Sequence, residues 1–223
     1  MKLKTLLLNL LLLSLLAIPG YARSQAPAET VDEILTRVEA RYRGPGFSAT
    51  FDQASTLKAI GITDHARGKA LFKHPAKMRW EYASPGRQEI ITDGQTLWIH
   101  RPDENQVMLG RAPSYFGDGK GASFLSDIGL IRKRFTVSRV PAAAADRLRL
   151  KLIPNARDLD LSEIYLSISG KTFDVVEIVT YNAYGDETRI TLSDFRFGED
   201  LDDARFTFRI PESADILYLE EGN

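Results

Sequence analysis

From residue 147 onward the chain alternates apolar and polar side chains with a period of two. In "RLRLKLI" (147–153) Leu148, Leu150 and Leu152 fall on one side, and Arg147, Arg149 and Lys151 on the other. "EIYLSIS" (163–169), "VVEIVTY" (175–181), "TRITLSDFRF" (188–197) and "RFTFRI" (205–210) repeat the pattern, separated by the turn-forming stretches "NARD", "SGK", "AYGD" and "GEDLDD". Such alternation predicts half-buried strands, and strands joined by turns this short run antiparallel. Earlier, "TDGQ" (92–95) lies between "EII" and "TLWIH", where Asp-Gly predicts a two-residue hairpin. One stretch follows a helical period instead. In "ETVDEILTRVEARYRG" the residues Val31, Ile34, Leu35, Val38 and Tyr42 share a face, Thr30 and Glu33 have capping-box spacing, and Gly44 ends the run. A shorter apolar segment, "GDGKGASFLSDIGLI" (117–131), predicts a glycine lead-in, a cap at Ser123 and a lid-like helix carrying Phe124, Leu125, Ile128 and Leu130. The fold class is therefore mainly β with an α lid, an antiparallel meander of about ten or eleven strands.

The start of the chain changes the setting. Lys2 and Lys4 precede an apolar run from Thr5 to Ile18, Pro19-Gly20 breaks it, and Gly20 and Ala22 suit cleavage after Ala22. The run is short for a membrane span and reads as an export signal, giving a signal peptide at 1–22 and a single domain at 23–223. Removal of the signal takes two of the 29 basic residues and none of the 30 acidic ones, so the mature net charge is about −3. That balance argues against nucleic acid as a partner. The absence of cysteine excludes disulfides, a thiolate metal site and a lipidated N-terminal cysteine, so the core alone must hold the fold.

Motifs for chemistry are missing. The three histidines, His65, His74 and His100, have no ligand at metal-binding spacing, so no metal or cofactor is expected. The glycines around Lys120 do not form a phosphate loop, and no nucleophile elbow occurs. Acidic residues sit in turns or on the polar side of strands. The chain reads as a non-enzyme, and its apolar faces become the candidate functional feature. A long sheet, once strongly curved, has a concave side lined by alternate residues. With so few covering helices, that side is expected to enclose more apolar surface than it fills.

The run from Gly68 to Val107 is the most distinctive. "GKALFKHP", "MRWEY", "SPGRQ", "TDGQTLW" and "PDENQV" occur in the order and spacing of the outer-membrane lipoprotein carrier family, LolA, which this chain resembles. "FSATFDQ" after the helix and "FTFRIP" near the end are similar to that family's opening and close. The resemblance implies an incomplete, strongly curved antiparallel half-barrel covered by an N-terminal helix and a lid helix. It implies a monomeric periplasmic carrier that takes the acyl chains of lipoproteins from an inner-membrane ABC transporter and delivers them to an outer-membrane receptor.

Strand alternation then assigns the wall. Ala70, Phe72 and His74 share one face, and Met78, Trp80 and Tyr82 share the facing one on the next strand, with Lys73, Lys77, Arg79 and Glu81 turned to water. The opposite parity would bury three charges together, a far larger cost than exposing a tryptophan. The expected lipid-binding set adds Phe51, the lid residues Phe124, Leu125 and Ile128, and Leu148, Leu150 and Leu152. His74 stands where the family usually carries an arginine that is thought to bond lid carbonyls. The resemblance thus makes His74 the expected lid latch, looser or more pH-sensitive than arginine because neutral imidazole has a single donor. Two other readings use the same apolar wall: a carrier of another envelope lipid, and a lipid-sensing regulatory half-barrel. The regulatory kind usually has a further C-terminal domain, whereas this chain ends at Asn223, soon after its last expected strand. "ADILYLEEGN" is either a short strand or a docking tail.

Overall fold

Thr30 opens the first helix as its spacing with Glu33 requires. Its hydroxyl accepts from the Glu33 amide at 3.2 Å, while the Glu33 carboxylate accepts from the Thr30 amide at 2.7 Å. These bonds satisfy amides that the first turn leaves unpaired, and donation from the Thr30 amide and then its hydroxyl holds the Glu33 carboxyl below its ordinary range. The helix, α1 (Val31–Tyr42), buries Ile34, Leu35 and Val38. The computed structural model describes residues 29–116, 120–156 and 161–219, so the signal segment 1–22 lies outside the described residues.

Six strands follow: β1 (Phe47–Leu57), β2 (Ile62–Lys73), β3 (Lys77–Ser84), β4 (Gln88–Thr92), β5 (Thr96–Arg101) and β6 (Gln106–Arg111). Three short helical pieces come next: α2 (Ala112–Phe116), a 3₁₀ segment at Lys120–Ser126, and α3 (Gly129–Arg134). The second run of strands comprises β7 (Phe135–Val140), β8 (Arg147–Pro154), β9 (Glu163–Ser169), β10 (Val175–Tyr181) and β11 (Glu187–Phe197), with β12 (Asp215–Tyr218) at the end. All twelve join one sheet in the order β12-β6-β5-β4-β3-β2-β1-β11-β10-β9-β8-β7. It is an open, curled antiparallel sheet with a few helices: the antiparallel meander that the alternation predicts, with the curl that the family resemblance implies.

β2 and β1 lie at the centre, and β11, the next strand, carries a bulge. Ser48 pairs with Arg196 and Thr50 with Ser193, so Asp194 and Phe195 together oppose Ala49, and Asp194 takes a φ of 51°. An extra residue of this kind bends its strand and increases the local twist. A second irregularity falls between Arg67 and Gly68 on β2, where the strand approaches β3.

Three local expectations are corrected. The β4–β5 hairpin uses the three-residue connection Asp93-Gly94-Gln95, not a two-residue turn. Only Gly94 has positive φ there, and Asp93 Oδ1 accepts from both the Gln95 and Thr96 amides at 2.8 Å, a side-chain-capped turn. Ser123 is no helix cap: it sits inside the 3₁₀ segment and donates to the Phe116 carbonyl at 3.1 Å. "RFTFRI" forms no strand. One 3₁₀ turn covers Asp203–Phe206, then the chain runs irregularly.

The last correction has a clear cause. After β11 the chain crosses the outer face of the sheet as a strap, and its alternate phenylalanines turn toward that face. Phe206 is buried with Leu71 and Leu201 in a small outer core, and Phe208 packs on His100 at 4.8 Å. Lys73, Lys77 and Arg79 therefore meet the strap instead of open water. Lys73 and Lys77 pair with Asp203 at 2.7 and 2.6 Å, Lys73 also donates to the Leu201 carbonyl, and Arg79 donates to the Arg205 carbonyl. Arg79 further joins Glu81 and Glu89 at 2.7 and 2.6 Å. The strap ends in β12, which pairs in parallel with β6. Of the two readings of "ADILYLEEGN", its first residues form the strand.

Candidate functional site

Cross-strand register builds the concave wall. Phe72 lies opposite Met78 and Ala70 opposite Trp80, and all four are buried. Phe51 on β1 meets Trp80 and Tyr82 edge-on, each at 4.9 Å between ring centroids, and Phe72 meets Trp80 edge-on at 5.6 Å. Phe47 stacks on Phe72 at 4.7 Å and on Phe197 at 5.2 Å, extending the aromatic row to β11. Edge and offset arrangements of this kind add to what burial alone gives. Tyr82 is half-buried; its hydroxyl donates to Gln53 Oε1 at 3.1 Å, and burial pushes the phenol up to about 12. On the other half of the sheet, Leu148, Leu150 and Leu152 face the interior opposite Ile168, Leu166 and Ile164.

The cover comes from the helical pieces. Phe124, Leu125 and Ile128 are buried, as is Ile131, which the sequence reading did not single out. With Ile34, Leu35 and Val38 from α1 they join the wall residues in a single apolar cluster. Among the described residues, the chain's own helices thus occupy much of the spare hollow expected from many strands and few helices. The helices fill the concave face and leave a cavity of about 240 Å³ beside Trp80, Ile90, Phe116, Ile178 and Ile190. That is smaller than a site for a drug-sized molecule, typically about 300–1,000 Å³.

At the rim, one polar bond between the cover and the wall comes from His74. β2 ends at Lys73, so His74 does not extend the row of Ala70 and Phe72; it sits exposed in the turn at the rim. From there its Nδ1 lies 3.2 Å from the Ser126 carbonyl oxygen. A carbonyl only accepts, so Nδ1 carries the proton. The bond is available to the neutral ring as well as to the imidazolium.

The residue that sequence reasoning missed is Arg132 on α3. It donates to Glu39 Oε1 at 2.6 Å, to Thr36 Oγ1 at 2.9 Å, to the Asp32 carbonyl at 3.1 Å and to the Asp32 carboxylate, all on α1. Helical spacing from Phe124 and Ile128 could have found Ile131; nothing local announces the partners of Arg132. The far end of α1 is pinned separately. Arg41 pairs with Asp174 at 2.6 Å and lies over the Phe197 ring at 3.7 Å, while the Tyr42 hydroxyl accepts from the Val175 amide at 3.0 Å. Burial raises the Tyr42 phenol well above its ordinary value. Among the described residues, no group of three or more His, Cys, Asp or Glu is placed to hold a metal.

Fold and site together define a class: an open half-barrel whose concave face is apolar and closed by short helices of its own chain. The chain belongs to the outer membrane lipoprotein carrier protein LolA family, whose model matches residues 45–209. It is 30% identical over 165 residues to an outer-membrane lipoprotein carrier protein of Cupriavidus pinatubonensis, covering 74% of each chain. It is 31% identical over 170 residues to one of Chromobacterium violaceum, covering 76% of this chain and 80% of that one. Among solved structures, an uncharacterized conserved protein from Thermus thermophilus shares the fold, with a TM-score of 0.54 at 14% identity over 84% of this chain and 98% of that one.

Proposed function

We propose that this protein is a non-catalytic carrier that binds the acyl chains of lipoproteins in the periplasm and delivers them toward the outer membrane. The observation that carries the reading is an apolar wall whose occupant is a set of short helices from the same chain. Residues such as Phe124, Leu125 and Ile128 already lie where a hydrocarbon would lie. A ligand of the same character can take their place once the cover swings out, at little net change in buried apolar area.

The energetics favour handoff over release. Hiding hydrocarbon from water is worth about 0.8 kcal/mol per methylene, so three chains of roughly fifteen methylenes represent on the order of 35 kcal/mol. Cargo of that kind does not leave for water; it passes from one apolar site to another. Loading is assigned to an inner-membrane lipoprotein-releasing ABC transporter, which supplies energy, and unloading to an outer-membrane receptor. In this reading His74 is the lid latch, holding the Ser126 carbonyl while the site is empty.

Native mass spectrometry of the protein purified from a periplasmic extract tests the proposal. A co-purifying triacylated lipoprotein is the expected result. A free glycolipid in its place would favour a carrier of another envelope lipid, and a protein without acyl cargo under all loading conditions would overturn the carrier reading.

A further inference from the structure

The concave face changes character toward one end. On β1 the inward positions run Phe51, Gln53, Ser55; on β11 Leu192, Ile190, Thr188; on β10 Ile178, Thr180; on β3 Met78, Trp80, Tyr82. Register aligns these series. Phe51 lies opposite Leu192, Gln53 opposite Ile190, and Ser55 opposite Thr188, which in turn lies opposite Thr180. The adjacent rows on β1, β11 and β10, and the row on β3 one strand beyond β2, thus pass from aromatic and aliphatic to amide and hydroxyl in the same direction.

The polar ends are linked to one another. Tyr82 donates to Gln53 Oε1 at 3.1 Å, Gln53 Nε2 donates to Ser55 Oγ at 3.0 Å, and Ser55 Oγ lies 3.4 Å from Thr188 Oγ1. Gln53, Tyr82, Thr180 and Thr188 line the cavity of about 240 Å³, against Trp80 and Ile190 on its apolar side. The Gln53 amide has two N–H groups and uses one on Ser55, so donor capacity is left over at the cavity wall. A pure hydrocarbon makes no use of it. A ligand whose chains begin at carbonyl groups does.

We propose that this polar row is the head subsite of the carrier: it receives the ester and amide carbonyls through which acyl chains are joined to their cargo. The cargo then lies with its carbonyl end at Gln53 and Thr188 and its chains running toward Phe72 and Met78. The inference rests on the carrier reading and adds an orientation and a chemical preference to it. A site that hydrogen-bonds its ligand discriminates against an analogue lacking that group more sharply than an apolar wall does.

Two substitutions of near-constant size test it, Gln53→Leu and Thr188→Val. Dissociation constants are measured for a synthetic triacylated lipopeptide, which has ester and amide carbonyls, and for a pyrenyl alkane, which has none. Each variant is expected to bind the lipopeptide about tenfold more weakly, the loss of a hydrogen bond or two, and to bind the alkane as the wild type does. The unchanged alkane affinity also shows that the variants fold. Equal losses for both ligands, or no loss for either, would overturn the head subsite and leave the carrier reading standing. Failure of the wild type to bind either ligand would remove both.

Discussion

At Gly68 a Cβ would stand 1.9 Å from the Glu81 carbonyl oxygen and 2.9 Å from the Phe51 ring, because β2 presses against β3 and the ring fills the remaining space. Neither neighbour is a flexible side-chain end. Gly68→Ala is therefore expected to destabilise the fold by about 3 kcal/mol, the upper range for overpacking, and urea unfolding measures it; an unchanged midpoint would contradict the packing described. At this scale much of the wall was legible. Alternation placed Ala70 and Phe72 opposite Trp80 and Met78 because a strand has only two faces, and one of them had to be charged. His74 was not legible, since alternation assumes that the strand continues and β2 stops at Lys73. Its rim position brings it to a lid carbonyl all the same, which alternation does not describe.

Short elements raise a different question, namely how the cover stays on. α3 has six residues and could not persist as an isolated helix. Its place is fixed by Ile131 in the core and by Arg132 on α1. Arg132→Ala is expected to loosen α1 and α3 together by about 1–2 kcal/mol, the value of hydrogen bonds to charged partners less solvent screening. Amide exchange in residues 31–42 and 129–134 should accelerate while β1 and β9 keep their protection. If only α3 loosened, the two helices would not act as one cover. His74→Ala removes one net hydrogen bond from the rim and should raise the association rate of an apolar fluorescent probe about fivefold. His74→Arg, with five donors, should lower it. Equal rates in both variants would rule out the latch. The sequence concealed Arg132 for a plain reason: its acceptors lie 93 to 100 residues earlier, and no local pattern encodes a contact at that distance. "RFTFRI" misled for a related reason. Alternation marks any segment with one side on an apolar surface, whether it pairs within the sheet or lies across it.

Over the whole molecule, the strap explains how β12 reaches β6 from the far side of the sheet. It crosses the convex face, with Leu201 and Phe206 seated on Leu71 and Asp203 between two lysines, and so braces the curve that gives the sheet its concave side. The hydrogen bonds from Lys73 and then Lys77 lower the Asp203 carboxyl from 3.8 to about 2. A carboxyl lowered on folding stabilises the folded state above its unfolded value, and that contribution disappears as pH falls through the folded one. The difference in melting temperature between wild type and Asp203→Asn should therefore be constant from pH 5 to 7 and shrink between roughly pH 4 and 2. A difference that persisted at pH 2 would mean that the ion pairs do not fasten the strap. The antiparallel meander itself was legible from strand length and turn spacing, and its curl from the family resemblance. The filled interior was not, because a sequence lists apolar residues without saying whether a ligand or the chain's own helices will cover them.

The central claim is that the cover and an acyl chain compete for one apolar wall. Hydrogen exchange with and without a saturating triacylated lipopeptide tests it most directly. The account predicts faster exchange in residues 31–42 and 120–134 when the lipopeptide is bound, with the amides of β1, β2 and β9 as protected as before. Tight binding of the lipopeptide with the cover equally or better protected would contradict it.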